Sequence, residues 1–315
     1  MKAAALSYVV VTDRYRTIRR LAECLRAQTA SREMEVVIVA PVGAGADLSQ
    51  VAPDDFAGVR VVEQESIWPM AAARAAGVRA ATAPIVFLGE THSFPHPDFA
   101  RVIVEAAASG NWDVLVPGLE NANPQNPISW SNFLMDYGSW HHSLPSGPIE
   151  GGPTWNVAYR RPVLMELDAN LEQMLTHGDD LAVAFRAAGR TTVFAPSAII
   201  GHANLARPRW WFEQRYLCGL LVGDSRRRRW SAGKRLLYVA ASPLILAVII
   251  ARLRPAIGAG SRHGMGWMTI PALFAGALFR TIGEVVAYVR GASPASQTRM
   301  DEYELHKLDF TGLSY

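Results

Sequence analysis

Two residues of different chemistry follow a short apolar run in the first third of the chain. Glu90 offers a carboxylate and His92 an imidazole, with one residue between them, directly after the apolar residues 85–88. Oxygen and nitrogen donors at this spacing can bind a divalent cation, and their mixture suits Mn²⁺ better than Mg²⁺. His202 is a candidate third ligand. The competing interpretation is that Glu90 and His92 are ordinary loop residues.

An acidic pair further along the chain could act on a proton. Asp179 and Asp180 precede an apolar-periodic stretch at 181–188. A carboxylate within hydrogen-bond reach of a hydroxyl group can remove its proton. An aspartate at this position can equally cap the helix that the stretch predicts. Both interpretations stay open, and each can apply to one of the two residues.

The elements that would position these side chains alternate between strands and helices. Runs of β-branched and apolar residues predict buried strands, and apolar residues at helical spacing predict helices between them. This alternation indicates an α/β fold around a parallel sheet, whose ligands bind beyond the carboxyl ends of the strands. The predicted strands are 7–12, 34–40, 59–63, 85–88, 113–116 and 191–194, and the predicted helices are 17–26, 70–81, 99–109, 162–167 and 180–188.

Residues 121–152 break this alternation. The segment is polar, aromatic and rich in proline and glycine, and it predicts a long functional loop. Its aromatic residues Trp130, Tyr137 and Trp140 either stack on a ligand, lie under a membrane-facing rim or simply pack within the loop.

Bulk composition narrows the functional classes. With 315 residues, half of them apolar, the chain suits one large domain or one domain with an appendage. A formal net charge of +3, with no basic surface beyond one arginine run at 226–229, argues against nucleic-acid binding. Two distant cysteines, Cys24 and Cys218, favour a reducing compartment without disulfides. The first residues do not read as a secretory signal.

Several short motifs occur in an order that resembles one known family, the family-2 glycosyltransferases with the GT-A fold. The resemblance covers residues 7–219 and rests on the whole collinear set, because no single motif decides it. The motifs are VVVTDR at 9–14, AARAAG at 72–77, FLGETH at 87–92, GGPTWNVAYRR at 151–161 and GDDL at 178–181, followed by His202.

This resemblance implies a mixed, mostly parallel sheet flanked by helices and an enzyme that uses a nucleotide-sugar donor. Glu90, His92 and His202 would bind the divalent cation, Mn²⁺ or Mg²⁺, as an E-x-H version of the family's D-x-D motif. Asp180 would be the catalytic base of an inverting transfer, with Asp179 orienting or binding the acceptor. The donor-binding residues would be Thr12, Asp13, Arg74 and Glu90.

One segment departs from the family pattern at the expected nucleotide pocket. Where the family commonly has Asp-Asp-Gly-Ser after the second strand, this chain has APVG at 40–43. One usual nucleotide contact is therefore missing, and Glu63 or Glu65 could replace it. The identity of the nucleotide does not follow from the sequence.

The last third of the chain predicts attachment to a membrane. Residues 236–251 and 267–289 are apolar, and the arginines ahead of them suit the cytoplasmic flank of a membrane segment. Interfacial or re-entrant helices explain these two apolar stretches at least as well as two full membrane spans do. Helices packed on a soluble core are an alternative. The expected domains are a catalytic domain at 1–219, membrane-associated helices at 220–292 and a polar tail at 293–315. The expected acceptor is lipid-linked or a saccharide.

Two other functions remain open. A catalytically weak partner or scaffold protein in polysaccharide assembly would explain the altered metal motif and the missing Asp-Asp pair. A nucleotidyltransferase would need a glycine-rich basic loop early in the chain, and residues 40–45 offer glycines without a lysine. Fold-level similarity alone separates none of these functions.

Overall fold

The computed structural model describes residues 3–176 and 180–313. It forms two compact units. Residues 3–120 and 142–202, here called the sheet unit, contain the β-sheet, and residues 121–141 and 203–313, the helical unit, contain the long C-terminal helices. Asp179 lies outside the described residues.

The sheet unit is built on one mixed sheet of nine strands. The strands are β1 (Leu6–Val11), β2 (Met34–Pro41), β3 (Gly58–Gln64), β4 (Ile85–Leu88), β5 (Ser93–Pro95), β6 (Val114–Asn121), β7 (Gly147–Pro148), β8 (Val157–Arg160) and β9 (Thr192–His202). Their order is β3-β2-β1-β4-β8-β6-β9-β5, with β7 paired to β9. The first four strands are parallel, and β8 runs antiparallel between β4 and β6.

Burial on both faces explains why β1 and β2 read as continuous apolar runs. Every residue of β1 is buried, and so is every residue of β2 up to its last. Helices cover the sheet as the sequence predicts, and Gly77 shows how closely one of them approaches: a Cβ there would overlap the side chain of Val9. The sheet-unit helices are α1 (Tyr15–Arg26), α2 (Gly45–Leu48), α3 (Met70–Ala80), α4 (Phe99–Ser109), α6 (Arg161–Met165), α7 (Leu171–Met174) and α8 (Asp180–Ala187).

The prediction of a long loop at 121–152 is wrong over part of its length. Helix α5 (Pro127–Asp136) occupies its centre. Asn126 caps this helix by accepting hydrogen bonds from the backbone of Ile128 and Ser129, and Pro127 occupies its first turn. Asn followed by Pro is a helix-start signal that the overall polarity of the segment obscured. Trp130 and Tyr137 are buried, which agrees with packing.

The helical unit contains a helix pair in which the two backbones nearly touch. Helix α9 (Pro208–Arg229) runs beside α13 (Thr269–Arg290) along most of its length. A Cβ at Gly219 would overlap the carbonyl oxygen of Arg280, and one at Gly283 would overlap that of Tyr216. Glycine is therefore required on both helices, as in other small-residue helix contacts. The remaining helices are α10 (Ala232–Ala240), α11 (Ser242–Arg252), α12 (Arg254–Arg262) and α14 (Pro294–Leu305), with short 3₁₀ turns elsewhere.

Charged residues inside this pair are neutralised by partners. Glu284, in the middle of the apolar stretch 267–289, is buried on α13 and accepts a hydrogen bond from Arg226 at 2.7 Å. Arg228 pairs with Asp224 at 2.6 Å. The arginine run, read from sequence as a solvated or phosphate-facing patch, therefore serves partly to hold α9 and α13 together. A second ion pair joins the buried Arg215 to the half-buried Asp136 at 2.6 Å, and the Arg215 charge holds the pKa of that carboxyl below its usual value against the opposing effect of burial.

We predict that Gly219→Ala destabilises the protein by about 1–3 kcal/mol, because the added methyl group must force two packed backbones apart. Gly233→Ala is the matched control. Gly233 lies on α10, and a Cβ there would have no neighbour within 4 Å. The free energy of unfolding in denaturant should fall for the first variant and stay level or rise for the second. Equal stability of the two variants would contradict the close approach of α9 and α13.

Candidate metal centre and donor site

The pairing of β5 with β9 brings residues from two distant parts of the chain together. Glu90 and His92 lie in the turn between β4 and β5, and His202 is the last residue of β9. In the antiparallel register, Ser93 is paired with His202. His92 and His202, separated by 110 residues in sequence, therefore become neighbours at the carboxyl edge of the sheet.

Three ligand-type atoms form a small triangle at this point. His92 Nε2 and His202 Nε2 are 3.1 Å apart, and Glu90 Oε2 lies 3.4 Å from the first and 3.5 Å from the second. All three side chains are buried. The structure thus brings together the three residues that the sequence singled out as metal ligands.

The size of the triangle fits one face of a metal coordination shell. With metal–ligand bonds of about 2.1 Å, neighbouring ligands are about 3.0 Å apart in octahedral geometry and about 3.4 Å apart in tetrahedral geometry. Two imidazoles and one carboxylate are a known facial set for divalent transition metals, with open positions opposite the face. These residues could therefore hold a divalent cation, and the nitrogen donors disfavour Mg²⁺.

Glu90 is held in place by neighbours that the sequence analysis did not identify. Asn156 Nδ2 donates a hydrogen bond to Glu90 Oε2 at 2.6 Å, and Ser93 Oγ donates one to the same oxygen at 3.3 Å. Asn156 sits just before β8 with a φ of +58°, in the left-handed region that asparagine tolerates better than most residues. The available signal was the motif GGPTWNVAYRR, which placed Asn156 within the resemblance without giving it a role.

Behind the triad, Gly89 makes room for a buried aromatic side chain. A Cβ at Gly89 would overlap the ring of Tyr8 on β1. Burial raises the pKa of the Tyr8 hydroxyl well above its usual value, and the Glu90 carboxylate raises it further. Tyr8 therefore remains a neutral phenol beneath the candidate metal site. Glycine at position 89 allows the strand to end directly over this ring.

Thr12 and Asp13, two of the residues predicted to bind the sugar-nucleotide donor, follow β1 and form hydrogen bonds within their own turn. Thr12 is buried, and its hydroxyl donates to the carbonyl of Arg14 at 3.0 Å. Asp13 accepts a hydrogen bond from the Thr17 hydroxyl at 2.6 Å and pairs with Arg14 at 3.2 Å. The side chain of Asp13 is partly exposed. It lies at the edge of the sheet where β4 and β9 also end.

Arg74, the third predicted donor residue, lies on α3 and is almost fully buried. Its guanidinium group stacks 3.6 Å from the centre of the Trp155 ring. Trp155 directly precedes Asn156, so this cation–π contact helps fix the segment that orients Glu90. Arg74 thus contributes to the support of the candidate metal site through Trp155.

The loop after β2, where the sequence departs from the family pattern, is held by a carboxylate from β3. Glu63 Oε1 accepts hydrogen bonds from the backbone of Gly43 at 3.1 Å and Gly45 at 3.2 Å. Gly43 has a φ of +89°, which glycine adopts without strain. The carboxylate that the sequence offered as a substitute nucleotide contact therefore holds the loop 41–45 together.

Asp180 is the first residue of α8 and is half-buried. An acidic residue in the first turn stabilises a helix by interacting with its dipole. The helix is anchored to the sheet unit by Phe185, whose ring lies 5.8 Å from that of Tyr159 on β8, and by Arg186, which donates to the carbonyl of Glu150 at 2.8 Å. The structure places Asp180 on an element attached to the strand that follows Asn156.

We predict that Asn156→Gly weakens Mn²⁺ binding about tenfold, because it removes the amide donor to Glu90 while glycine keeps the left-handed conformation. Asn170→Gly is the control, since Asn170 is exposed and its side chain makes no cap to the short helix α7 that follows it. Calorimetric titration with Mn²⁺ measures both. Unchanged affinity in Asn156→Gly would contradict the positioning role of Asn156.

Comparisons with known proteins support the fold. No protein-family model matches this chain, and no curated protein sequence matches it. Among solved structures, the chain is similar to the mannosyltransferase PcManGT from Pyrobaculum calidifontis in complex with GDP-Man and Mn²⁺. The two are 16% identical, with a TM-score of 0.57 over 92% of this chain and 88% of the other.

Two further structures are more distant. TarS 1–349 of S. aureus is 15% identical, with a TM-score of 0.44 over 60% of each chain. GalNAc-T7, in a structure with UDP, GalNAc and Mn²⁺, is 14% identical, with a TM-score of 0.48 over 64% of this chain and 43% of that one. This chain thus spans only part of the length of either protein, and the mannosyltransferase alone carries the fold comparison. Together with the mixed, mostly parallel sheet flanked by helices, that comparison confirms the expected fold: the chain has the GT-A-like fold of glycosyltransferases.

Proposed function

We propose that this protein transfers a sugar from a nucleotide-diphosphate donor to a hydroxyl acceptor, with a divalent cation held by Glu90, His92 and His202. The observation that carries the proposal is the buried triangle of ligand atoms at the carboxyl edge of a GT-A-like sheet. The fold neighbour bound to GDP-Man and Mn²⁺ supports the same class of donor and cation.

The chemistry requires stabilisation of a leaving diphosphate. As the bond to the sugar breaks, negative charge grows on the phosphate oxygens, and a bound divalent cation supplies the electrostatic stabilisation. Glu90 and the two histidines would fix the position of that cation, and Asn156 and Ser93 would orient Glu90. Because these side chains are held rigidly before the reaction, little reorganisation is needed during it.

The donor would lie along the ends of β1 and β4, which are neighbours in the sheet. Thr12 and Asp13 would contact the nucleoside, with the partly exposed Asp13 carboxylate accepting from its base or ribose. Arg74 would act indirectly, by holding the Trp155–Asn156 segment that orients Glu90.

Asp180 is our candidate for the catalytic base, with Asp179 as an acceptor-orienting neighbour. This assignment rests on the GDDL motif, and it implies direct displacement with inversion at the anomeric carbon. Membership of family 2 belongs to the same proposal. The anchoring of α8 to β8 gives Asp180 a defined position in the sheet unit.

The acceptor in this proposal is lipid-linked or a saccharide, and the protein works at the cytoplasmic face of a membrane. Two segments, Ser242–Arg262 and Thr269–Arg290, are long and apolar enough to cross a membrane by length and composition. They support membrane attachment, with catalysis in residues 1–219, attachment through 220–292 and a C-terminal segment at 293–315.

We predict metal-dependent binding of one donor from a panel of UDP-, GDP- and dTDP-sugars, measured by calorimetry on detergent-purified protein with and without Mn²⁺. His202→Ala should abolish the effect of Mn²⁺ on donor binding, because two protein ligands hold the cation far more weakly than three. His306→Ala, on a histidine at the end of α14 in the helical unit, is the control and should bind as the wild type does.

A folded protein that binds no donor in this panel would favour the second candidate function, a catalytically weak partner or scaffold in polysaccharide assembly. The loop 41–45, which lacks the usual acidic pair and uses Glu63 for its own backbone, is the observation that keeps this candidate open.

We predict that Asp180→Asn lowers the turnover number at least about a hundredfold while donor binding persists, because the amide cannot accept the acceptor proton. Asp54→Asn, on an exposed aspartate of the sheet unit, is the control. If Asp180 serves only the helix, the variant should instead lose no more than about 1 kcal/mol of stability and keep its turnover. Single-turnover sugar transfer and denaturant unfolding, measured together, separate the two outcomes.

A further inference from the structure

The outer face of α13 carries a stripe of exposed apolar side chains. Phe274, Leu278, Ile282 and Val289 recur at spacings of four, four and seven residues, which places them on one side of the helix. The opposite side, with Gly276, Gly283 and Glu284, packs on α9. A helix at the surface of a water-soluble protein normally reverses this pattern and turns polar residues outward.

The helical unit carries further exposed apolar residues besides this stripe. Trp267 is 77% exposed and Leu244 is 67% exposed. Within residues 3–176 and 180–313, only Val42 and Val183 are exposed large apolar residues outside the helical unit. Such a concentration of exposed apolar side chains in one unit marks an interaction site. Its residues, the lipid-facing set defined here, are Leu236, Leu237, Leu244, Val248, Trp267, Met268, Phe274, Leu278, Ile282 and Val289.

The first apolar segment is unsuited to crossing a bilayer although its length allows it. Helix α11 ends at Arg252 and α12 begins at Arg254, so the helix is interrupted at the midpoint of residues 242–262. Both arginines are exposed. A transmembrane orientation would hold two unpaired guanidinium groups at the centre of the hydrocarbon, where charges are most costly. At about 1.5 Å per residue, the eleven residues of α11 reach only about half of the bilayer core.

The second segment is prevented from crossing by its partner helix. Trp211 contacts Gly276 near the start of α13, and Gly223 meets Glu284 and Ala287 further along, so α9 accompanies α13 in the same direction. A membrane-crossing α13 would carry α9 with it. Helix α9 contains Glu213, which is partly exposed, and ends in four arginines. Placing Glu213 and its helix in hydrocarbon would be costly.

The charge of the helical unit indicates which partner covers these exposed apolar residues. From Arg226 to Ala292 the sequence has eleven lysines and arginines and one acidic residue, Glu284, which is buried in an ion pair. Exposed basic residues, among them Lys234, Arg252 and Arg290, lie on the same helices as the lipid-facing set. Apolar residues bordered by cations match the interface of a bilayer with anionic headgroups.

We propose that the helical unit lies in the plane of one leaflet of an anionic membrane. The lipid-facing set enters the acyl region, the basic residues contact headgroups, and neither apolar segment crosses the bilayer. This inference deepens the proposed membrane attachment and is independent of sugar transfer, since every residue it uses lies in the helical unit.

Flotation with vesicles tests the binding surface. The wild type should float with phosphatidylcholine–phosphatidylglycerol vesicles and much less with phosphatidylcholine alone. Leu278→Glu should reduce binding at least tenfold. Val183→Glu, which changes an equally exposed residue of the sheet unit, should bind as the wild type does, and thermal unfolding confirms that each variant is folded. Equal binding of both variants, or no flotation with either vesicle, would overturn the proposal.

Thiol labelling tests the orientation. Ser261→Cys lies at the end of the first apolar segment and Ser293→Cys follows the second, and both serines are exposed. Inside-out membrane vesicles from expressing cells are treated with a membrane-impermeant maleimide before and after detergent. In-plane insertion predicts that both positions are labelled from the same side without detergent. Labelling of position 261 only after detergent, with position 293 labelled before it, would show two spans and exclude the in-plane arrangement. Donor binding, measured separately in detergent, is unaffected by either result.

Discussion

The register of β5 on β9 is the interaction on which the candidate metal centre depends. Because Ser93 is paired with His202, the imidazoles of His92 and His202 meet at 3.1 Å, and the turn that leads into β5 presents Glu90 to both. A slip of one residue would send the His202 side chain to the other face of the sheet.

A second set of contacts makes this arrangement rigid. Asn156 is attached to β4 by a backbone hydrogen bond to Leu88 at 2.7 Å and reaches Glu90 with its side chain. Trp155, the residue before it, is held by Arg74. The helix that begins at Asp180 packs on the same strand, β8, through Tyr159. The position of β8 in the sheet, between β4 and β6, therefore places both the support of the candidate metal ligands and the candidate base.

Much of the sheet unit could be predicted from sequence, and the reasons for the exceptions are physical. Buried parallel strands have continuous apolar runs, so β1, β2 and β4 were identifiable, and so were the residues that follow them. The contact of His202 with His92 required the strand register, which no local pattern encodes. Asn156 was missed because its role depends on a left-handed backbone and a partner 66 residues away. Helix α5 was hidden by the polarity around it. The closeness of α9 and α13 depends on Gly219 and Gly283, which in sequence look like interruptions of two helices.

The replacement of an aspartate pair by Glu90 and His92 also changes the electrostatics of the proposed site. With a divalent cation, two carboxylates would leave a neutral centre, whereas one carboxylate and two neutral imidazoles leave one net positive charge. In a buried site that charge is weakly screened and acts strongly on a nearby diphosphate. A basic side chain on the phosphates would then be less important for stabilising their negative charge. This is consistent with Arg74 being turned onto Trp155, where it supports the Asn156 segment. In the proposed reaction, the altered motif would therefore leave more of the charge stabilisation to the cation itself.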